Sequence, residues 1–224
     1  MKRAEHNTLL DWVLHELAGP LTAISGYADI ALEAGASPEE KTAAAEVIRQ
    51  EASRLLRLTG EIRSMARISK GQPIDVRLSE FDLREVCSHA VSVQRIAWPG
   101  YELAADMPRA VTVRADRDKL CQALLNILAN SAKYSPKGSE ITVTAGREQD
   151  CGYVAVTDRG SGIAPEDLEK IFGLGERLDA PLHTDGRGIG LFLARALLSA
   201  MGGSIRVESR VGEGSRFTLL VPLA

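Results

Sequence analysis

The sequence is poor in aromatic residues and has no excess of basic charge. Aromatic side chains make up 4% of its 224 residues, so any core must be built largely from Ala, Leu, Ile and Val. Lys and Arg number 27 and Asp and Glu number 30, which gives a formal net charge of −3. A chain of that sign has no general electrostatic attraction to nucleic acids or anionic lipids. We therefore expect no nucleic-acid partner and no direct membrane contact.

Cysteines and long apolar runs are also scarce. Cys87, Cys121 and Cys151 are isolated and none lies in a CxxC pair, which argues against a disulfide framework or a zinc site and favours reduced thiols. The first residues, MKRAEHNTLLDW, lack the apolar segment of a signal peptide. The longest apolar stretch, residues 191–201, is interrupted by Arg195 and is too short to span a bilayer. These features predict a soluble cytoplasmic chain.

The first seventy residues carry apolar side chains with helical spacing. In the first half these recur at alternate spacings of four and three, which predicts a helix with a narrow coiled-coil seam. The seam consists of Leu10, Leu14, Leu17, Leu21, Ile24, Ala28 and Ala31. After a break at Gly35, Ser37, Pro38 and Glu40 have the order of an N-cap, a first-turn proline and a capping-box glutamate. A second helix should follow, antiparallel to the first because the loop is short.

A two-helix hairpin cannot cover its own apolar seam. A second copy of the chain would cover it by forming a four-helix bundle around a two-fold axis. The alternative is that the hairpin packs against the rest of its own chain. The narrowness of the seam favours the homodimer.

The pattern changes after residues 70–73, where Lys, Gly, Gln and Pro follow one another. Apolar periodicity then predicts helices near residues 82–97, 116–134, 165–172 and 188–201. Strand-like runs begin at Val111, Glu140, Tyr153, Gly203 and Arg216, and the last two predict a hairpin across residues 210–215. Helices interspersed with a mixed sheet indicate a two-layer α/β sandwich. We therefore predict an α+β chain with a helical hairpin at 1–70, a linker or first strand at 71–80 and a sandwich domain at 81–224.

Four motifs carry side chains suited to chemistry, and the first is HELAGPLT, residues 15–22. His15 directly follows a seam residue and should therefore lie at the edge of the seam, in water. Pro20 lacks the backbone N–H that would donate a helical hydrogen bond, and Gly19 makes the same turn more flexible. We therefore expect the helix to bend one turn beyond the histidine. An exposed imidazole can be a nucleophile if Glu16 takes or orients its proton. Taken alone, the pair is better explained as a solvated histidine.

The second motif is LLNILANSAKYS, residues 124–135. Asn126, Asn130 and Lys133 are spaced four and three apart and share one helix face, while leucine and isoleucine supply the core side. Two amides and an ammonium group suit a Mg²⁺–polyphosphate group, because Mg²⁺ takes oxygen ligands and the lysine offsets phosphate charge. On its own, this motif would be interpreted as an ordinary polar helix face.

The third motif is VTDRGSGI, residues 156–163, in which a strand ends at Asp158. A fixed carboxylate there would accept a hydrogen bond from the exocyclic amine of adenine. The two glycines that follow allow close approach of the backbone. In isolation, a β-turn with an Asx cap explains this motif better.

The fourth motif is DGRGIGLFLAR, residues 185–195. Gly186, Gly188 and Gly190 precede an apolar helix, so free amides and the positive helix end can hold phosphates. The motif fits neither a P-loop nor a dinucleotide-binding fingerprint. The polar, glycine-containing residues 173–185 before it are typical of a mobile lid.

Together and in this order, the four motifs resemble the catalytic core of a sensor histidine kinase, and the resemblance covers nearly the whole chain. HELAGPLT is similar to the phosphoacceptor box of the helical dimerisation domain. Residues 115–135 are similar to the asparagine box of the histidine kinase-like (GHKL-type) ATPase domain. The third and fourth motifs resemble its two glycine boxes, and residues 202–223 resemble its closing hairpin.

The resemblance implies an ATP-dependent protein-histidine kinase of a two-component system. His15 would be phosphorylated with Glu16 as its acid–base partner, and Asn130 would hold Mg²⁺. ATP would be bound by Asn126, Asn130, Lys133, Tyr134, Asp158, Gly160, Gly162, Ile163, Arg177, Gly186, Arg187, Gly188, Ile189, Gly190 and Leu191, with Asp158 on adenine. The phosphoryl group would pass to an aspartate of a response regulator receiver domain. The other partner would be a second copy of the chain, and the chain would be cytoplasmic, as a whole or as the cytosolic portion of a longer kinase.

Three positions depart from the family pattern. Gly19 stands four residues after the histidine, where Thr or Asn is usual, and lacks a side chain to hold water against a phosphoaspartate. This predicts weak phosphatase activity. Ala18 replaces the usual arginine, which removes a local charge. Gly175 stands where a second aromatic residue is common, although Phe172 and Arg177 are kept, and this weakens the expectation of a firmly closed lid.

Two rival functions can be weighed against the kinase. A signalling scaffold that used nucleotide only as a conformational clamp would not need the intact set of His15, Asn130 and Asp158. A chaperone-type or mismatch-repair-type ATPase of the same superfamily would not need the histidine-bearing hairpin. The presence of both features favours the kinase.

Overall fold

The chain forms two compact units, residues 1–72 and residues 73–224, here called the hairpin unit and the sandwich unit. The computed structural model describes the backbone of residues 2–176 and 188–224. Within these ranges, side chains are described for all residues except 2–12, 15, 16, 57 and 69.

The hairpin unit consists of two long helices, α1 (Lys2–Leu32) and α2 (Pro38–Ser69). Ser37 is the N-cap of α2: its Oγ accepts a hydrogen bond from the Glu40 amide at 3.1 Å, and its own amide donates to Glu40 Oε2 at 2.7 Å. This hydrogen bond from the Ser37 backbone holds the pKa of Glu40 below its usual value. The predicted start of the second helix is therefore confirmed. α1 continues through Pro20 as a single helix.

The hairpin unit buries only part of its apolar seam. Ala44, Leu58 and Met65 of α2 are buried. Leu14 and Leu21 of α1, both in the predicted seam, remain 59% and 53% exposed. The described part of the hairpin therefore carries a stripe of apolar side chains that face water.

The sandwich unit contains seven strands and three α-helices among its described residues. The strands are β1 (Ser79–Asp82), β2 (Glu102–Asp106), β3 (Thr112–Ala115), β4 (Glu140–Glu148), β5 (Cys151–Asp158), β6 (Ser204–Arg210) and β7 (Gly214–Pro222). The helices are α3 (Leu83–Ala97), α4 (Arg117–Tyr134) and α5 (Gly190–Ala200). Five strands form a mixed sheet in the order β2-β4-β5-β7-β6, and β1 pairs with β3 in a second, two-stranded sheet.

The mixed sheet has one parallel pair. β2 runs parallel to β4, whereas the pairs β4–β5, β5–β7 and β7–β6 are antiparallel. A bridge between Val113 of β3 and Leu223 links the small sheet to the end of the large one. The helices form the second layer, so the predicted α/β sandwich is confirmed.

The core of the sandwich unit lies between the helices and the sheet. Its largest wholly buried side chains are mainly leucine and isoleucine: Leu83, Leu120, Leu124, Ile127, Leu128, Ile141, Leu193, Leu197, Leu198 and Leu219. α4 therefore has the apolar side that the sequence predicted, and its asparagines lie on another face. Because α4 is anchored in this way, its polar face is held in place relative to the end of β5.

Three local predictions can be compared with the structure. The hairpin across residues 210–215 is confirmed, since Arg210 of β6 pairs with Gly214 of β7. The helix predicted at 165–172 is instead two single-turn 3₁₀ helices, Pro165–Asp167 and Lys170–Phe172. β2 was not predicted, because its sequence, ELAAD, contains no β-branched residue.

Two further properties concern the whole described chain. None of its helices combines the length and the apolarity that a bilayer span requires. None of the three cysteines forms a disulfide; Cys87 is buried, whereas Cys121 and Cys151 are half-buried. Burial raises the pKa of the Cys87 thiol to about 12.

Candidate functional site

The carboxylate of Asp158 lies at the end of β5 and is held by three donors. Its Oδ1 accepts hydrogen bonds from the amides of Gly160 at 2.9 Å and Ser215 at 3.1 Å. Its Oδ2 accepts a hydrogen bond from Ser131 Oγ at 3.0 Å. The residue is only 6% exposed. These contacts come from the following loop, from β7 and from α4, so the carboxylate has a defined orientation.

The loop after β5 packs so closely that two of its positions require glycine. A Cβ atom at Gly160 would lie 2.8 Å from the carbonyl oxygen of Tyr134, and one at Gly162 would collide with the backbone of Arg210. Gly162 also has a φ of +69°, which disfavours residues with a side chain. The predicted glycines are therefore needed for contact with protein backbone, independently of any ligand.

Backbone and hydroxyl groups fix the same loop on both sides. The Ser161 amide donates to the carbonyl of Tyr134 at 3.2 Å. The Ile163 amide donates to Ser209 Oγ at 2.9 Å. The loop is consequently joined to the end of α4 on one side and to β6 on the other.

The asparagine face of α4 lies against the start of α5. Asn126 Nδ2 donates to the carbonyl of Gly190 at 3.4 Å. A Cβ atom at Gly190 would lie 3.9 Å from both Asn126 Cγ and Asn130 Nδ2, which is ordinary contact distance. Lys133 Nζ lies 4.8 Å from the centre of the Tyr134 ring. The structure thus brings Asn126, Asn130 and Gly190 together.

The first turn of α5 is suited to anion binding. Ile189 is its N-cap, and none of the described side chains caps the helix. The leading amides and the positive helix end are therefore available to a phosphate group. Gly188 has a φ of +68°, and a Cβ atom there would collide with the backbone of Glu176. Glu176 of the predicted lid and Gly188 of the fourth motif are therefore next to each other.

The position of α4 is fixed at its beginning by Asp116. This N-cap carboxylate accepts hydrogen bonds from the Lys119 amide at 3.1 Å, from Lys119 Nζ at 3.1 Å and from the Arg77 amide at 2.8 Å. Burial by itself would raise the pKa of Asp116, but the hydrogen bonds from Arg77 and Lys119 outweigh it and the pKa is lowered.

For several predicted site residues, the structure describes only the backbone or nothing at all. His15 and Glu16 lie within α1, one turn before Gly19, and their side chains are outside the described set. Arg177, Gly186 and Arg187 also fall outside the described residues. Ile189 is buried, and Leu191 is half-buried in the first turn of α5.

Three serines of the site were not predicted: Ser131, Ser209 and Ser215. The sequence did contain a signal for the burial of Ser131. It lies three residues after Leu128, in the apolar row that also contains Leu124 and Ile127, and it is followed by buried Ala132. A hydroxyl in an apolar row must find a partner. That the partner is Asp158 could be seen only in the folded chain.

The donor set around α4 is compatible with a magnesium–nucleotide complex. Within the described ranges no group of three or more His, Cys, Asp or Glu side chains is placed to hold a metal ion. A cation here would therefore depend on the amide oxygen of Asn130 together with oxygens from phosphate and water, which suits Mg²⁺. The uncapped start of α5 and the oriented Asp158 carboxylate fit a phosphate chain and an amino-purine base.

Comparison with known families separates the two units. Residues 115–224 match the family described as histidine kinase-, DNA gyrase B- and HSP90-like ATPases. Residues 6–71 match the His Kinase A (phospho-acceptor) domain. The chain belongs to the sensor histidine kinase family. It contains the phospho-acceptor domain and the ATPase domain that make up the catalytic core of such kinases.

Two relatives extend the similarity over both domains of this histidine kinase core. It is 34% identical to histidine protein kinase DivJ of Caulobacter vibrioides over 93% of the present chain and 36% of DivJ. It is 33% identical to sensor-like histidine kinase SenX3 of Mycobacterium bovis over 94% of the chain and 52% of SenX3. The chain therefore spans about a third to about half of the length of these relatives.

A solved structure has the same fold along the chain. Full-length ShkA, crystallised with AMPPNP, is 25% identical to this core and superposes with a TM-score of 0.66, covering 97% of the chain and 46% of ShkA. The mycobacterial sensor histidine kinase MprB, 24% identical, shares the fold over 66% of the chain with a TM-score of 0.59.

Proposed function

We propose that this core phosphorylates His15 with the γ-phosphoryl group of Mg²⁺-ATP and passes that group to an aspartate of a response regulator. The observation that carries the proposal is the combination, in one chain, of a phospho-acceptor domain that contains His15 and an ATPase domain with an oriented Asp158 carboxylate. A scaffold or a chaperone-type ATPase accounts for only one of these features.

Asp158 is proposed to accept a hydrogen bond from the exocyclic amine of adenine. Support comes from its low exposure and from the three donors that orient it. The amides at the start of α5 would bind phosphate oxygens, and Asn130 would supply an oxygen ligand to Mg²⁺. ShkA, which shares this fold, was solved in complex with AMPPNP, a triphosphate analogue. The remaining predicted ATP-binding residues stay predictions.

The chemistry at His15 needs a base and in-line geometry. A ring nitrogen of His15 would form a bond to the γ-phosphorus while the bond from that phosphorus to the β–γ bridging oxygen breaks, releasing ADP. Glu16 would take or orient the proton of the other ring nitrogen and so raise the nucleophilicity of the imidazole. Most of the rate enhancement would come from positioning and from neutralisation of phosphate charge.

The proposed partners are a second copy of the chain and a receiver domain. The exposed seam residues Leu14 and Leu21 support the homodimer, because a four-helix bundle would remove them from water. The second phosphoryl transfer would break the histidine N–P bond and form an acyl phosphate on the receiver aspartate.

The test is incubation of the full chain with γ-labelled ATP. We expect acid-labile, alkali-stable label that is lost in His15→Ala and kept in His89→Ala, which removes an exposed histidine of α3. Glu16→Ala should lower the labelling rate more than it lowers ATP affinity. Label that persists in His15→Ala would contradict the phosphoacceptor assignment, and ATP binding without any label would favour the scaffold.

We also propose that Gly19 makes phosphatase activity toward the phosphorylated receiver weak. A Cβ atom at Gly19 would have no neighbour within 4 Å, so a larger side chain fits there. Gly19→Thr should raise the dephosphorylation rate of a phosphorylated receiver several-fold, with Gly26→Thr, at an equally open position of α1, as the control. An unchanged rate in Gly19→Thr would remove this proposal.

A further inference from the structure

A single hydroxyl joins the asparagine helix to the carboxylate proposed to recognise adenine. Ser131 follows Asn130 in α4 and is only 1% exposed. Its Oγ lies 3.0 Å from Asp158 Oδ2. The serine hydroxyl is the donor in this hydrogen bond.

This contact differs from those of other hydroxyl groups in the helices. Hydroxyl side chains inside helices commonly donate to the carbonyl four residues earlier. Thr22, Thr42, Ser53 and Ser92 do so, with the carbonyls of Ala18, Pro38, Arg49 and Ser88. Ser131 instead reaches a residue of another element, 27 positions along the chain.

The hydrogen bonds of Asp158 show what the serine contributes. Oδ1 accepts from two backbone amides, those of Gly160 and Ser215, so both of its lone pairs are used. Oδ2 accepts from Ser131 alone among the described residues. One lone pair of Oδ2 therefore has no donor among the described residues and can accept a hydrogen bond from a ligand. Together with the two bonds to Oδ1, the bond to Ser131 fixes the plane of the carboxylate and with it the direction of that lone pair.

We propose that Ser131 is a positioning residue for recognition of the nucleotide base. By orienting Asp158 Oδ2, it makes the site selective for a purine that carries an amine at position 6. This inference rests on the proposed function, because it presupposes that Asp158 accepts a hydrogen bond from ATP.

The test compares ATP with inosine triphosphate, which has a carbonyl oxygen in place of the 6-amine. Dissociation constants are measured by titration calorimetry on the full chain. Wild type should prefer ATP. Ser131→Ala should weaken ATP binding about tenfold and inosine triphosphate binding less than about twofold, the size expected for loss of one hydrogen bond to a charged group.

Two further variants control the result. Ser135→Ala removes a buried hydroxyl one turn later in the same region, and that hydroxyl has no hydrogen-bond partner among the described residues. It should change ATP affinity less than about twofold. Ser131→Thr keeps the hydroxyl and should recover most of the ATP preference. If Ser131→Ala does not fold, Ser131→Cys, a weaker donor of similar size, replaces it.

The outcomes separate this inference from the function on which it rests. A wild-type chain that binds no ATP, or that binds both nucleotides equally, would overturn the role of Asp158 and with it that of Ser131. A wild-type preference that survives unchanged in Ser131→Ala would overturn only the positioning role. Equal weakening of both nucleotides would do the same, because it would reveal general loosening of the site.

Discussion

In the sandwich unit Leu120, Leu124 and Leu128 of α4 are wholly buried, whereas in the hairpin unit Leu14 and Leu21 of α1 are more than half exposed. Burial of apolar surface stabilises a fold by about 25 cal/mol per Å². The sandwich unit gains this stabilisation within one chain. The hairpin unit can gain the stabilisation from burying its seam only when another surface covers that seam. We therefore expect the stability of the sandwich unit to depend on substitutions in its core. The stability of the hairpin unit should depend on protein concentration.

The largest expected effect comes from placing charge in the seam. Leu21→Asp would put one carboxylate per copy into the apolar centre of the proposed four-helix bundle. At about 2 kcal/mol for each buried, unpaired group, the dimer dissociation constant should rise about 1,000-fold. Sedimentation of the full chain measures it, with Leu32→Asp, an 83% exposed leucine outside the seam, as the control. Equal effects of both substitutions would show that the seam is not the dimer interface.

The core of the sandwich unit should respond next. Leu124→Ala removes a wholly buried side chain from α4 and should lower the free energy of unfolding of that unit by about 3 kcal/mol. The dimer dissociation constant should not change. Urea unfolding with sedimentation tests both statements, and Ile96→Ala, at a position 69% exposed, should cost less than about 0.5 kcal/mol. Dissociation of the dimer in Leu124→Ala would contradict the expectation that the core of the sandwich unit and the seam of the hairpin unit act independently.

Removal of Asp116, the N-cap of α4, should have a smaller effect on the free energy of unfolding, and that effect should depend on pH. Asp116→Ala removes an N-cap and should lower the unfolding free energy by about 2 kcal/mol at neutral pH. The folded-state pKa of Asp116 is lowered, so its stabilisation is present above its unfolded pKa and is lost as pH falls below about 4. Unfolding measured at pH 7 and pH 3 should show the difference from wild type shrinking. Asp116→Asn, which keeps a cap acceptor, should cost less.

The smallest effect concerns the buried thiol. Burial raises the folded-state pKa of Cys87 to about 12, so its contribution is present below the unfolded pKa, about 8.5, and is lost as pH rises toward 12. At pH 8, iodoacetamide should label Cys121 and Cys151, which are half-buried, well before Cys87. Mass spectrometry of the labelled peptides measures the order. Labelling of all three at one rate would show that the core of this unit opens readily.

Local features of the sequence predicted much of this structure. The capping box at Ser37 and Glu40 marked the start of α2 because it involves contacts only three residues apart. The apolar row of α4 predicted its buried side in the same way. β2 was missed because its stability comes from pairing with β4, some forty residues later, and not from its own residue types.

Much of the candidate site was visible in the spacing of its motifs. Asn126 and Asn130 were placed on one helix face by helix periodicity, and the start of α5 does lie against them. Two of the three hydrogen-bond partners of Asp158 could not be predicted, since Ser131 and Ser215 are 27 and 57 residues away in the chain. Nothing in those serines identifies the carboxylate that they orient.

The sequence by itself determined the two classes of unit, the order of the motifs and the family to which they belong, because these depend on residue type and on short spacings. The tertiary structure decided which side chains are left exposed in the seam and which donors orient Asp158. Both are long-range properties. They exist only when segments distant in the chain are brought into contact, and the free energy that selects them is that of the packed core.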